Sequence, residues 1–205
     1  MRNDWPGAER LARQALTQGD ESGTAEAYLA VARSNQGVPE EARPLATSSA
    51  EKGHPHGMFV LHQLLLTGRG GPVDLAAARI WAERAAEAGH PRACFNLGAF
   101  FAEGQGGFPL DLAASRRWYE QAEIAGDGEG AFNLAMLLAF SCEPPLRDAA
   151  LPHVIAAVRL GYPAGQTLID RGTASLESNR DAAVWMLSIA ATLDPAFARA
   201  LSRKT

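Results

Sequence analysis

The sequence predicts an all-helical protein, an array of stacked helical hairpins, and three observations carry that expectation. A short phrase returns at a near-constant interval: "HPHGMFVLH" from His54, "HPRACFNLG" from His90 and "DGEGAFNLA" from Asp127. The glycine before each phrase keeps the same beat, with Gly53, Gly89, Gly126 and Gly161 separated by 36, 37 and 35 residues. A period of this size is the signature of a helical hairpin repeated along the chain. The composition agrees, being rich in Ala and Leu and poor in the β-branched residues that favour strands.

The repeat runs through most of the 205 residues. An earlier copy with a few extra residues begins in "TQGDESGTAEAYLAV" (Thr17 to Val31), and Asp194 holds the glycine slot in "TLDPAFARAL". The expected organisation is one array over 1–205, with repeats near 15–52, 53–88, 89–125, 126–160 and 161–193 and a capping helix over 194–205. About eleven helices result.

Within a unit the residue four after the reference glycine is small: Gly57, Ala93, Gly130, Gly165 and Ala198. The residue eight after it is large and aliphatic in Leu61, Leu97, Leu134 and Ile169, so the two positions share one side of a first helix where a neighbour comes close. That helix stops at "TGRGGP" (Thr67 to Pro72) or "EGQGGFP" (Glu103 to Pro109), where glycine supplies a positive φ and proline blocks continuation. The second helix follows in "VDLAAARIWAERAAEAG" and "LDLAASRRWYEQAEIAG", with Trp81 and Trp118 eight residues before the next reference glycine and expected to be buried wedges. That glycine ends the hairpin, and His54, His90, Asp127 or Asp194 caps the next helix.

The segment "GHPRACFNLGAFFAEGQGGFPLDLAASRRWYEQAEIAGD" resembles the Sel-one-like repeat (SLR) family, relatives of the tetratricopeptide repeats. It carries the small residue, the aromatic-Asn-Leu-Gly step, the Gly-x-Gly turn, the Asp before a run of alanines, the Trp-Tyr pair and the closing Gly. The unit from Gly53 has Val60 and His62 where Asn and Gly are usual, and the last two units lack the Gly-x-Gly turn and the Trp-Tyr pair. The resemblance covers about Ala15 to Leu201. It implies a right-handed superhelical solenoid of antiparallel helix pairs, with a concave face lined by the first helices and a role in binding proteins.

The charges exclude some functions. A net charge of -4 with acids and bases interspersed lacks the concentrated basic face that nucleic acid or an anionic membrane requires. No apolar run approaches the roughly 18 residues of a membrane span, and "MRNDWPGAERLARQ" has no apolar signal core, so the expectation is a cytoplasmic protein without membrane insertion. Cys94 and Cys142 fall at different repeat positions and read as reduced, packed thiols.

Catalytic and metal chemistry find little support. His54, His56 and His62 are spaced by two and six, where a helix presents metal ligands three or four apart, so capping or packing is expected and no metal site. The glycine turns lack the Lys-Ser/Thr ending of a phosphate loop, and Ser48, Ser49, Ser115, Ser141 and Cys142 have no motif partner. Asp74 and Asp111 open second helices, where an acid offsets the helix dipole. No cofactor is expected.

What remains is the side of the first helices opposite the small-and-large stripe. It bears Phe59, Phe95 and Phe132 six residues after each reference glycine, flanked by Arg92, Asn96, Glu103, Glu129, Asn133 and Arg171. Two readings of the phenylalanines stand: sideways packing on the adjacent repeat, or aromatic anchors in a groove, with Asn96 and Asn133 bonding a peptide backbone. The expected function is a non-catalytic adaptor binding a protein or peptide segment in its concave groove. The alternatives are an inhibitor or immunity protein directed at a bacterial toxin or effector, and an enzyme with its site in an irregular segment such as "SCEPPLRD".

Overall fold

The computed structural model describes residues 4–142 and 145–194, and every regular element among them is an α-helix. There are eleven: α1 (Trp5–Thr17), α2 (Thr24–Asn35), α3 (Pro39–Glu51), α4 (Pro55–Thr67), α5 (Leu75–Glu87), α6 (Pro91–Glu103), α7 (Leu112–Ile124), α8 (Gly128–Phe140), α9 (Arg147–Arg159), α10 (Ala164–Ala174) and α11 (Arg180–Leu193). The expected capping helix over 194–205 lies outside the described residues, as does Ala198. The chain forms two units that divide between Ala125 and Gly126.

In the first unit α2 pairs with α3, α4 with α5 and α6 with α7, and α1 packs on α2. The first helices α2 and α4 also touch each other, as do α3 and α4 and α5 and α6, so each hairpin buries its apolar side on the next. In the second unit α8 pairs with α9 and α10 with α11.

The starts of α4 to α8 have local causes, as does the stop of α5. The backbone at Gly89 has φ 78°, a left-handed conformation that closes α5 after Ala88, and adding a Cβ there would meet nothing within 4 Å. Glycine is required by conformation at this corner, not by space. The next residue begins α6: Nδ1 of His90 accepts from the Ala93 amide at 3.3 Å. His54 does the same for Gly57 at 3.4 Å, and Asp127 Oδ1 accepts from Gly130 at 2.8 Å. Asp74 and Asp111 act as more than dipole partners, since their Oδ1 atoms cap α5 and α7 by accepting from Ala77 and Ala114, both at 2.9 Å.

The contact stripe is tight in places and open in one. Ala93, Leu97, Leu61 and Leu134 are buried as the spacing predicts. A Cβ on Gly57 would stand 2.1 Å from the Ser49 hydroxyl, so α3 and α4 meet there at the limit of approach. Gly165 differs from the expectation, because its nearest neighbour would be the Leu193 Cβ at 3.9 Å. The stripe of α10 has slipped by one residue, burying Ala164, Leu168 and Gly172 and leaving Ile169 only half-buried. Pro163 sits at the N-cap with no side-chain cap and α10 begins three residues after Gly161, where α4, α6 and α8 begin two after their glycines.

Trp81 and Trp118 occupy equivalent places but are half-buried, which corrects the expectation of full burial. They lie against the edge of the core, and the Arg84 guanidinium covers the Trp81 ring at 4.9 Å. The following residue points inward instead: Ala82 is fully buried and Tyr119 nearly so.

Candidate functional site

The candidate surface begins with the residues of the first helices. In the first unit Phe59 is buried, its ring stacked on that of His90 with centroids 4.4 Å apart. His90 in turn stacks on His56 at 5.3 Å, and His56 lies 5.5 Å from Tyr28. Because His90 Nδ1 accepts from Ala93, its Nε2 carries the proton and donates to His56 Nδ1 at 3.1 Å. Burial, with the nearby charge of His54 as a lesser cause, holds the His56 pKa below its ordinary value.

The histidines of "HPHGMFVLH" therefore do three separate jobs. His54 caps α4, His56 pairs with His90, and His62 is enclosed in the hairpin, 2% exposed, with Nδ1 2.9 Å from the Ala78 carbonyl. Among the described residues no three His, Cys, Asp or Glu side chains cluster around a common point. No helix among them is long and apolar enough to cross a membrane. Cys94 is buried and donates to the Ala86 carbonyl, and Cys142 is a free, half-buried thiol.

Of the sequence-predicted residues in this unit, Arg92 and Phe95 lie together, the guanidinium over the ring at 4.2 Å. Phe95 is half-buried, and its centroid is 6.1 Å from that of Tyr119. Glu103 is exposed at the last position of α6. Asn96 lines a cavity of about 320 Å³ to which α2, α4 and α6 all contribute. Its polar lining includes Asn35, His62, Gln63 and Arg69. Asn35 Nδ2 donates to the Val31 carbonyl, which leaves its oxygen as the outward group, and Arg69 donates to the carbonyl of Ser34.

In the second unit Phe132 is fully buried, with the Tyr162 ring 5.0 Å away and the Arg171 guanidinium 5.2 Å above it. No surface of Phe132 is left for a partner. Asn133 Nδ2 donates to the carbonyl of Glu129 on its own helix at 3.0 Å, and both residues are half-buried. Arg171 is exposed and lines a second cavity of about 360 Å³ with Met136, Phe140 and Asn179.

The structure thus brings Asn96 to a pocket and sets Arg171 over Phe132, while Glu103 joins neither group. Sequence reasoning missed Asn35, His62 and Arg69 as pocket residues. For His62 a signal existed, since it stands where the following repeat has Gly98 and the one after has Ala135.

The family model of the Sel1 repeat matches residues 57–90, 91–127 and 154–195. A comparison with curated proteins finds no match. Among solved structures, the chain is similar to a Sel1 repeat protein from Oxalobacter formigenes, with TM-score 0.67, 20% identity and coverage of 92% of this chain and 84% of that one. A sel1 repeat protein from Klebsiella pneumoniae subsp. pneumoniae gives TM-score 0.61 and 20% identity over 95% and 98% of the two chains. The antigen c5321 of uropathogenic Escherichia coli, which displays an SLR fold, gives 0.65 and 20% over 90% of this chain and 40% of its own. At this identity the likeness speaks for the fold, a helical solenoid. Proteins of Sel1 repeats generally serve as protein-interaction scaffolds. With three repeats matched along more than half of its length, the chain belongs to the Sel1 repeat family.

Proposed function

We propose that the chain is a non-catalytic adaptor that holds an extended protein segment along α2, α4 and α6. The observation that carries this reading is the cavity built from three successive first helices, each contributing one amide side chain: Asn35, Gln63 and Asn96. Packed helix axes stand about 8 to 10 Å apart, and an extended chain advances about 3.3 Å per residue. Every third residue of such a segment therefore meets an amide: Asn35 offers its oxygen, and Gln63 and Asn96 can both donate and accept. A backbone with alternating N–H and C=O groups is the ligand such a row suits.

The non-catalytic part of the reading is supported by where the nucleophile candidates lie. Of these, Ser115 is fully buried in α7 and Ser49 is fully buried in α3, its hydroxyl donating to the Gly23 carbonyl. Both serve packing.

The test is site-directed crosslinking. A photoreactive residue at Gln63 should capture a protein partner, and one at the exposed Ile80 of α5 should not. Asn96→Ala combined with Asn35→Ala should lower capture from position 63 several-fold at an unchanged melting temperature, because Asn96 is only half-buried and Asn35 is exposed. Capture from Ile80 alone, or capture indifferent to the double substitution, would overturn the proposal.

A further inference from the structure

The cavity on α2, α4 and α6 has one feature that backbone binding does not use. His62 donates from Nδ1 to the Ala78 carbonyl on α5, so the neutral ring keeps its lone pair on Nε2. That nitrogen is buried and has no hydrogen-bond partner. The two ring nitrogens lie on opposite edges of the imidazole, so with Nδ1 against α5 the lone pair faces away from that helix. His62 is itself part of the cavity lining. An imidazole beyond reach of solvent, with an acceptor left over, is an unmet demand for a donor.

The rest of the pocket says what kind of donor. Val31, Val60, Leu64 and Leu66 supply apolar walls. No carboxylate among the described residues lines it to hold a cation, and Arg69 does line it. An anion is no better placed, because Arg69 is engaged by the Ser34 carbonyl, Asn35 presents its oxygen, and the C-terminal turns of α2 and α4, with their carbonyl ends, form part of the wall. The occupant that satisfies every wall is a neutral, mostly apolar group with a single donor at its tip.

Resting on the reading of these helices as the binding face, we infer that the pocket takes a tyrosine or tryptophan side chain of the bound segment, whose O–H or N–H donates to His62 Nε2. Both are aromatic bodies with one polar handle, the combination that dominates interface energetics. Water does not replace them. Nε2 is buried, and the rings of Phe59 and Phe100 stand 6.3 and 6.0 Å from that of His62, so an occupant reaches the nitrogen only by displacing side chains, which an apolar ring is driven to do and a water molecule is not.

The inference can be tested on the whole chain without knowing the partner, using 4-methylphenol, 3-methylindole and toluene as stand-ins for the side chains of Tyr, Trp and Phe. In the ¹⁵N spectrum of the imidazoles, His62 Nε2 should resonate as a free acceptor and move upfield by several ppm, saturably, with the first two probes. The side-chain amides of Gln63 and Asn96 should shift with it, and toluene should bind at least about five-fold more weakly. Val31→Phe, which fills the pocket from α2, should abolish the effect while the melting temperature holds.

Equal binding by toluene, a His62 Nε2 that does not respond, or no saturable shift up to the solubility of the probes would each overturn the inference. So would a Val31→Phe protein that melts as the parent does and still binds. The outcome separates from that of the crosslinking. Capture at Gln63 with a silent His62 leaves the groove and removes the aromatic pocket, and a responsive His62 without capture keeps the pocket and removes the groove.

Discussion

Gly98 lies under the ring of Tyr119, so closely that a Cβ on the glycine would stand 2.4 Å from Cδ1 of the tyrosine. One repeat earlier the same two positions are held by His62 and Ala82. The bulk has changed sides: α6 gives way to a ring from α7, while α4 supplies the ring and α5 gives way. Gly98→His alone should therefore overpack the hairpin and cost about 1 to 3 kcal/mol or more. Adding Tyr119→Ala should recover much of that loss, and denaturant unfolding of the two single variants and the double variant measures the coupling. Additive losses would show that the two pairs are not interchangeable.

The helix contacts at Gly57 and Gly165 should respond oppositely to the same substitution. Gly57→Ala drives a methyl into Ser49, whose hydroxyl is buried and donates to the Gly23 carbonyl at 2.6 Å, so a loss of about 1 to 3 kcal/mol is expected. Gly165→Ala meets open space and should be neutral or stabilise α10 by up to about 1 kcal/mol, the helix preference of Ala over Gly. Thermal melting of the two variants side by side decides it.

Phe132→Ala and Phe95→Ala should separate along the same lines. The first empties a fully buried site and should cost about 3 to 5 kcal/mol. The second removes a half-buried ring under Arg92 and should cost visibly less. Equal losses in urea unfolding would place Phe95 in the core as firmly as Phe132.

Acid should weaken the fold in a defined window. Burial lowers the folded-state pKa of both His56 and His62 from an ordinary 6.5, against a hydrogen bond to Ala78 that partly opposes it at His62. The unfolded chain then binds protons that the folded chain refuses, so this stability is fully present above about pH 6.5 and is lost as pH falls through the lower folded values. The carboxylates with lowered values act further down. Glu9, bonded first by Arg13, and Asp20, bonded first by Ser22, lose their contributions only below 4.5 and 3.8. The urea midpoint should be level from pH 8 to 7 and fall between 6.5 and 5, and His56→Gln with His62→Gln should flatten that fall. A midpoint that rises on acidification would contradict the burial of neutral imidazoles.

The period was legible because it is written in residues whose roles are local. Gly53, Gly89, Gly126 and Gly161 mark corners, and His54, His90 and Asp127 mark starts, wherever the helices later pack. The slip in α10 was less legible, since Pro163 shifts the helix start by one residue while the spacing of the glycines hardly changes. The surface was the least legible part. Helical geometry puts Phe59 and Phe132 opposite the small-residue stripe, yet rings from neighbouring segments, His90 and Tyr162, cover them, and a single helical wheel carries no information about neighbours. His62 was visible as a departure from its repeat, but the direction of its free nitrogen depends on a carbonyl sixteen residues away.

The pairing of a corner glycine with a capping residue immediately after it gives the hairpins that begin with α4, α6 and α8 their own punctuation, carried inside one block of about 36 residues. A duplication of that block in the gene copies the stop, the start and the stripe together, and the joint between old and new copies needs no invention. Deletion of a block is as clean. The array can therefore lengthen or shorten by recombination while its surface residues drift independently, and the reach of the proposed binding face becomes a quantity adjusted in whole repeats.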